Sequence, residues 1–323
     1  MPRRTEPKPA AANHVRVKKA FHLLVRAAQA WQADNAFKHS AAVSFYTLFS
    51  LAPVTIIAIK IMGLFIGEEI ATRQFSAQVT GLVGPASAEI INAAAKASQA
   101  SATNGFSAVV GIVLVLVGAT TVFGQLQDSL NDIWGVKAKP RGNGIIVLLI
   151  RRLLSFTMVL TVGFLLLVSL VLTTALTAAF ALIHGQIGTS PVLIHSVDFV
   201  ATFIVITFLF ALLFKVLPDV KLRWPDVWLG AVLTSGLFSL GRYLIALYLD
   251  HSTIASIYGT AGSLVALLIW IYYSCAIFFY GVEFTRAHHL ERRPAIEPKT
   301  TAVHIRRRAG TELRKKSPPP ART

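Results

Sequence analysis

The sequence predicts an all-α protein, a polytopic membrane helix bundle with six transmembrane helices and both termini in the cytoplasm. Three observations predict it. Of the 323 residues, 54% are hydrophobic and only 14% are charged, whereas soluble domains carry charge on about a quarter of their residues. Six segments are long and apolar enough to cross a bilayer. The connections between them are alternately rich and poor in Lys and Arg.

The six predicted spans follow from length and hydropathy. A helix needs about 20 mostly apolar residues to cross about 30 Å of hydrocarbon. No apolar run shows the period of two that is typical of barrel strands, so each is interpreted as a helix whose backbone hydrogen bonds are internal. The spans are 40–66, 107–124, 153–183, 196–217, 227–249 and 260–284.

The orientation follows from the basic residues. Of 31 Lys and Arg residues, 27 fall in the two terminal segments and in the connections that would lie on the same side. Because cytoplasmic loops are enriched in Lys and Arg, that side is predicted to be cytoplasmic. The opposite side has one large segment, 67–106, which is either a cap on the outer membrane surface or a solvated helical linker. Lys215, at the end of the fourth span, is counted with the connection that follows it; Lys60 and Arg242 are the other two basic residues inside spans.

Three regions result from this topology. Residues 1–37 form a basic cytoplasmic segment, 38–286 the transmembrane domain, and 287–323 a basic tail that is expected to be disordered because of its composition. No short apolar stretch with a cleavage site follows the N-terminus, so no signal peptide is expected. The net charge of +16 suits the anionic headgroups of membrane lipids, at about 1 kcal/mol per basic residue near the surface; nucleic acid is not an expected partner.

The first span carries small polar residues at helical spacing and one proline. Ser40, Ser44, Thr47 and Ser50 share a face. Such a face either lets helices approach closely and hydrogen-bond across the interface, or lines a polar pathway. Pro53 removes one helical hydrogen bond and is expected to kink the helix, which makes it a candidate site of motion.

Polar side chains also follow the second span: Gln125, Asp128, Asn131 and Asp132. Asp128 and Asp132 lie four residues apart and repel each other unless a cation or basic group separates them. They are candidates either for a proton or cation site or for ion pairs with Arg151 and Arg152.

Arg242 is the most informative single residue. It lies roughly 24 Å into the fifth span, where a charge normally faces protein or water. It contacts either an anionic substrate or a carboxylate partner, Asp198 or Asp250. Glu283, near the inner end of the last span, and Tyr258, in the outer turn before that span, complete the candidate pathway residues.

Catalytic signatures are missing from the sequence. It contains no phosphate-binding loop, no nucleophile elbow and no zinc-protease pattern. Cys275 is the only cysteine, which excludes an internal disulfide and thiolate metal sites. We therefore expect no enzymatic activity, no cofactor and no metal.

Four strings identify a family resemblance over about 30–290. They are KHSAAVSFYTLFSLAP, LQDSLNDIWGV, LPDVKLRWPDVWLGAVLTSGLFSLGRYLIALYL and IYGTAGSLVALLIWIYYSCAIFFYGVEF. The chain resembles the YihY/BrkB family of bacterial inner-membrane proteins, although Val282 stands before Glu283 where the family often has Ala. The resemblance implies six helices with cytoplasmic termini, in agreement with the charge count. Family members have been labelled ribonuclease BN, virulence or serum-resistance factors, envelope-integrity proteins and transporters.

Two functions remain open at this point. The ribonuclease label is rejected because the carboxylates divide between two membrane faces and the histidines are scattered, which does not suit a metal-dependent nuclease. We expect a transporter, exporter or lipid-translocating protein of the bacterial inner membrane that supports envelope integrity, with an unknown solute or lipid substrate. The alternative is a non-transporting scaffold that acts through partners. Either protein could be a homo-oligomer.

Overall fold

The computed structural model describes residues 9–83, 92–93, 105–139, 191–251, 262–300 and 302–304. Most of these residues are helical, as predicted. The helices and strands are α1 (Pro9–Ala33), α2 (Ala36–Ile66), α3 (Glu68–Val83), α4 (Gly105–Trp134), β1 (Val136–Ala138), α5 (Pro191–Val216), α6 (Trp224–His251), α7 (Gly262–Arg292) and β2 (Ala302–His304).

The predicted spans coincide with long helices. The first, second, fourth, fifth and sixth fall on α2, α4, α5, α6 and α7, whereas 153–183 lies outside the described residues. α2 has 31 residues, which gives it a length of about 46 Å. By length and hydropathy, Trp224–Leu244 and Leu264–Arg292 are suited to crossing a membrane, and Thr202–Val216 is apolar but shorter.

Helix α7 is the central packing element. It contacts α1, α2, α4 and α6, while α5 packs on α6 and α3 folds back on α2. Large side chains such as Trp134, Phe214 and Phe279 are fully buried between these helices. Other large apolar side chains point outward, including Leu64 at 85% exposure and Tyr243 at 69%. An apolar exterior around a packed core is expected when the surrounding medium is hydrocarbon.

Two tight connections set the directions of α1, α2 and α3. Asn35 adopts a left-handed conformation (φ 55°) between α1 and α2, which Asn tolerates better than most residues. Gly67 (φ 83°) separates α2 from α3. Beyond this turn, Ala71 and Phe75 of α3 pack against Met62 and its neighbours on α2.

The all-α prediction misses a small sheet. β1 and β2 pair antiparallel, with Val136 opposite His304 and Ala138 opposite Ala302. Strands of three residues are too short to show a period-two pattern, and these two are joined across most of the chain.

The expected disorder of the tail 287–323 is wrong for 287–300 and 302–304. Helix α7 continues to Arg292. The residues 293–300 and 302–304 form what we call the strap, and its part 297–299 lies along the α5–α6 connection. Lys221 N–H donates to the Glu297 carbonyl at 2.8 Å, and Lys299 N–H donates to the Asp219 carbonyl at 2.9 Å. The polar composition of the segment predicts solvation, because composition does not reveal hydrogen bonds to the distant α5–α6 connection.

Candidate functional site

A partly open cavity of about 330 Å³ lies between α2, α4, α5, α6 and α7. Its lining is almost entirely apolar, with Phe123, Leu213, Phe238 and Phe278 among the contributing side chains. The volume is within the range of about 300–1,000 Å³ that is typical of sites for small molecules. The cavity is the main candidate binding site in the described part of the chain.

The serine and threonine face of α2 forms one polar edge of this cavity. Thr47 and Ser50 line it, together with Ser274 and Cys275 of α7. The Thr47 hydroxyl donates to the Val43 carbonyl at 2.7 Å, within its own helix. A hydroxyl that is bonded in this way adds little polarity to the lining, so the cavity favours apolar ligands.

Ser40 and Ser44 of the same face are buried and donate to carbonyls of their own helix. Ser40 donates to Ala36 at 2.8 Å, and Ser44 donates to Ser40 at 2.6 Å. Ser44 also lies in hydrogen-bonding range of Cys275 on α7. Ser40 and Ser44 thus lie on the side of α2 that packs in the bundle, while Thr47 and Ser50 reach the cavity; the predicted roles of this face stay predictions.

Two predicted candidates fall outside the description. Tyr258 lies outside the described residues, and of Pro53 only the backbone within α2 is described. The roles of both stay predictions.

The polar residues of α4 lie beyond the cavity, toward the strap. Gln125 Nε2 donates to Ser129 Oγ at 3.4 Å. Asp128 and Asp132 are exposed, and Asp132 acts electrostatically on His39 of α2. Their predicted partners Arg151 and Arg152 lie outside the described residues, so those ion pairs stay predictions.

Arg242 lies on α6 with its side chain half-buried. Ala231 and Ser235, earlier on the same helix, are fully buried. The side chains of Asp198 and Asp250, the predicted partners of Arg242, lie outside the described residues, so the ion pair stays a prediction. By contrast Lys60 forms an exposed ion pair with Glu68 at 2.7 Å.

Glu283 belongs to a buried three-residue cluster at the end of the bundle where α7 meets α1. Arg286 Nη1 donates to Glu283 Oε2 at 3.3 Å and to Asp34 Oδ2 at 2.8 Å. The Glu283 side chain is 1% exposed and the Asp34 side chain 7%. The spacing of Glu283 and Arg286 could have indicated their contact, but no pattern connects Asp34 with a residue 252 positions away.

Further polar contacts that the sequence did not reveal surround this end of the bundle. His289 Nδ1 lies 3.3 Å from Asp226 Oδ2, and its ring packs edge-on against Trp134. The Lys215 ammonium lies 4.2 Å from the centre of the Trp224 ring, and both Trp224 and Trp228 are partly exposed. Tryptophan and lysine in this arrangement are typical of a membrane–water interface.

In the described ranges, no three His, Cys, Asp or Glu side chains come close enough together to hold a metal ion.

Long apolar helices, an apolar exterior and an apolar cavity between the helices are typical of a helical membrane protein. The family described as "Virulence factor BrkB" matches residues 27–305, so the chain belongs to this family, which confirms the YihY/BrkB resemblance.

Curated relatives carry the name "UPF0761 membrane protein". That of Halorhodospira halophila is 27% identical over 79% of this chain and 54% of its own length. That of Pseudomonas aeruginosa is 26% identical over 77% of this chain and 58% of its own length. That of Aeromonas salmonicida is 24% identical over 83% of this chain and 89% of its own length. The chain thus spans little more than half the length of the first two relatives. No solved structure matches it.

Proposed function

We propose that this chain is a non-enzymatic, multi-pass protein of the bacterial inner membrane that translocates a lipid. The observation that carries the proposal is the apolar cavity of about 330 Å³ that five helices of the bundle line. A hydrated solute would lose hydrogen bonds in such a cavity, at a cost of roughly 2–7 kcal/mol per polar group. An acyl chain loses none, so the lining favours a lipid tail over a polar solute.

The membrane topology of the proposal has six spans and cytoplasmic termini. The basic connections support this orientation. The Lys215–Trp224 contact at the junction of α5 and α6 suits a membrane–water interface at that level. In this topology the cavity lies within the membrane-embedded part of the bundle, and the Asp34–Glu283–Arg286 cluster lies at its cytoplasmic end. Support for envelope integrity would follow from delivery of lipid across the inner membrane.

The proposal is tested by lipid flux in liposomes. The purified full chain is reconstituted into vesicles with a tail-labelled fluorescent phospholipid, and the label in the outer leaflet is quenched chemically. The expected result is protein-dependent loss of the inner-leaflet label, well above that of protein-free vesicles. Arg242→Ala is expected to abolish this flux without loss of insertion, and the exposed Lys60→Ala is the matched control. Normal flux in Arg242→Ala would remove Arg242 from the pathway, and no flux in the wild type would overturn translocation.

A truncation separates translocation from the scaffold alternative. Deleting 291–323 would remove the ordered strap as well as the basic tail, so the chain should instead end after His304. A translocator keeps its flux after this deletion, whereas a scaffold that recruits partners through its basic tail loses its cellular phenotype and has no flux to lose.

A further inference from the structure

Helix α1 crosses helix α7 obliquely. Lys19, near the middle of α1, lies 4.0 Å from Glu291 of α7. Asp34, directly after α1, accepts a hydrogen bond from Arg286 of α7 at 2.8 Å. These two contacts are about 22 Å apart along α1 but only about 8 Å apart along α7. The two helices are therefore far from parallel.

The crossing lies at the end of the last predicted span. The buried Leu23 and Ala27 of α1 pack in one cluster with Phe284 of α7. Because the span 260–284 ends at this residue, α1 lies at the cytoplasmic surface of the bilayer in the proposed topology. A helix that crosses a spanning helix at this level runs along the membrane surface and not through the bilayer.

The outer surface of α1 consists of two strips that run along the helix. At 3.6 residues per turn, Phe21, Val25 and Ala28 share an apolar strip beside the packed face. Phe21 is 67% exposed and Val25 is 39% exposed. The second strip is polar, and its side chains are all exposed: Lys18, Lys19, His22, Arg26 and Gln29. Since α1 contains no acidic residue, this second strip is cationic.

We propose that α1 is an interfacial helix that binds anionic phospholipids of the cytoplasmic leaflet. Phe21 and Val25 insert among the acyl chains, which removes their side chains from water. Lys18 and Arg26, on the neighbouring strip, lie at the level of the headgroups and attract the phosphate groups. An apolar strip with adjoining basic residues is the pattern that binds a helix in the plane of a membrane surface.

Charge favours lipid over a second copy of the chain as the occupant of this surface. A second α1 helix would bring the same cationic strip, and like charges that face each other disfavour association. Anionic headgroups supply the opposite charge, and their acyl chains cover the apolar strip. The proposal rests on the membrane topology of the proposed function but not on lipid translocation.

Spin-label accessibility in vesicles of phosphatidylethanolamine and phosphatidylglycerol tests the insertion. In the full chain with Cys275→Ala, a nitroxide is attached to Phe21→Cys or Val25→Cys. The matched controls on the polar strip are His22→Cys and Gln29→Cys. A nitroxide among acyl chains collides with dissolved oxygen, whereas a nitroxide in water collides with a water-soluble nickel chelate. We expect oxygen to dominate at positions 21 and 25, and the nickel chelate at positions 22 and 29.

Two results would overturn the insertion. Ready access of the nickel chelate to positions 21 and 25 would mean that the apolar strip faces water. Low access of both reagents to these positions would mean that protein covers the strip. Each variant is first checked for insertion and for a single peak in gel filtration, and should one apolar position fail this check, the other decides. The reading does not use lipid flux, so it is independent of whether the protein translocates lipid.

Quenching by nitroxide-bearing lipids tests the preference for anionic headgroups. A fluorophore on Val25→Cys, again with Cys275→Ala, is exposed to equal amounts of nitroxide-bearing phosphatidylglycerol or phosphatidylcholine in phosphatidylcholine vesicles. We expect several-fold stronger quenching by phosphatidylglycerol. Lys18→Gln combined with Arg26→Gln removes most of this difference, whereas Lys60→Gln, on the opposite side of the proposed topology, keeps it. Equal quenching by the two lipids, or a difference that the double substitution leaves unchanged, overturns the contact with anionic headgroups.

Discussion

Gly230 of α6 lies directly against Thr285 of α7, with no room for a methyl group between them. One turn away the arrangement repeats in reverse, with Gly281 of α7 against Thr234 of α6. Each threonine hydroxyl donates to the carbonyl of the glycine four residues earlier in its own helix, at 2.7 Å and 2.8 Å. Small residues spaced four apart on both helices are a common means of close approach in membrane proteins.

This contact predicts opposite effects for two glycine substitutions on α6. In Gly230→Ala the new methyl group meets Thr285 and the Gly281 carbonyl, and overpacking of this kind costs about 1–3 kcal/mol. In Gly236→Ala the new methyl group meets nothing, and the gain in helix propensity stabilises by about 0.5–1 kcal/mol. Thermal unfolding in detergent should give a lower melting temperature for the first and an equal or higher one for the second. Equal effects would contradict the close contact.

Asn131 and Asp219 predict a second stability effect. Asn131 Nδ2 donates to Asp219 Oδ2 at 2.9 Å, and Asp219 N–H donates to Asn131 Oδ1 at 2.8 Å, which joins the end of α4 to the α5–α6 connection. Asn131→Ala leaves both groups of Asp219 without these partners, at a cost of about 1–3 kcal/mol. The matched control, Gln127→Ala one turn earlier, should change the free energy of unfolding by less than about 0.5 kcal/mol. A cost for Asn131→Ala that is no larger than that of the control would show that the pair contributes nothing.

Lys299 predicts a pH dependence of the strap. Burial lowers the pKa of its ammonium below the ordinary value of 10.5, and the Asp219 carboxylate only partly offsets this. Between the lowered value and 10.5 the unfolded chain binds more protons than the folded chain, so the free energy of unfolding rises with pH across that interval. Lys299→Met removes this contribution. Unfolding curves at several alkaline pH values should show the wild type gaining stability relative to the variant, and parallel curves would refute the burial effect.

The topology gives a prediction for reporter fusions. Fusions at residues 85, 187 and 255 should report an external location, and fusions after residue 139 or 310 a cytoplasmic one, because the basic residues concentrate on the latter side. An alkaline phosphatase and a fluorescent protein reporter at each site give complementary readings. A cytoplasmic reading at any of the first three sites would contradict the six-span arrangement.

Long apolar helices could be predicted from the sequence because hydropathy and length are local properties. Five of the six predicted spans coincide with helices of the described chain. The family could also be predicted, because its motifs occur as continuous strings.

Contacts between distant residues could not be predicted in the same way. The polar composition of the strap predicts disorder. In the structure, however, Pro298 bridges to Val220 and Lys299 donates to the Val216 carbonyl at 2.9 Å. Glu283 was identified as a candidate, but its buried partner Asp34 was not, since nothing local distinguishes that residue from a solvated aspartate. The cavity likewise depends on how five helices pack.

If the cavity carries the lipid, a larger side chain in its lining should slow translocation. The initial rate of phospholipid translocation in vesicles measures this effect directly. Val122→Phe places a larger side chain in the cavity lining of α4, and Val232→Phe makes the same change on the exposed surface of α6. A several-fold slower rate is expected for Val122→Phe and a wild-type rate for Val232→Phe, at equal amounts of folded, inserted protein. A wild-type rate for Val122→Phe would contradict this role of the cavity.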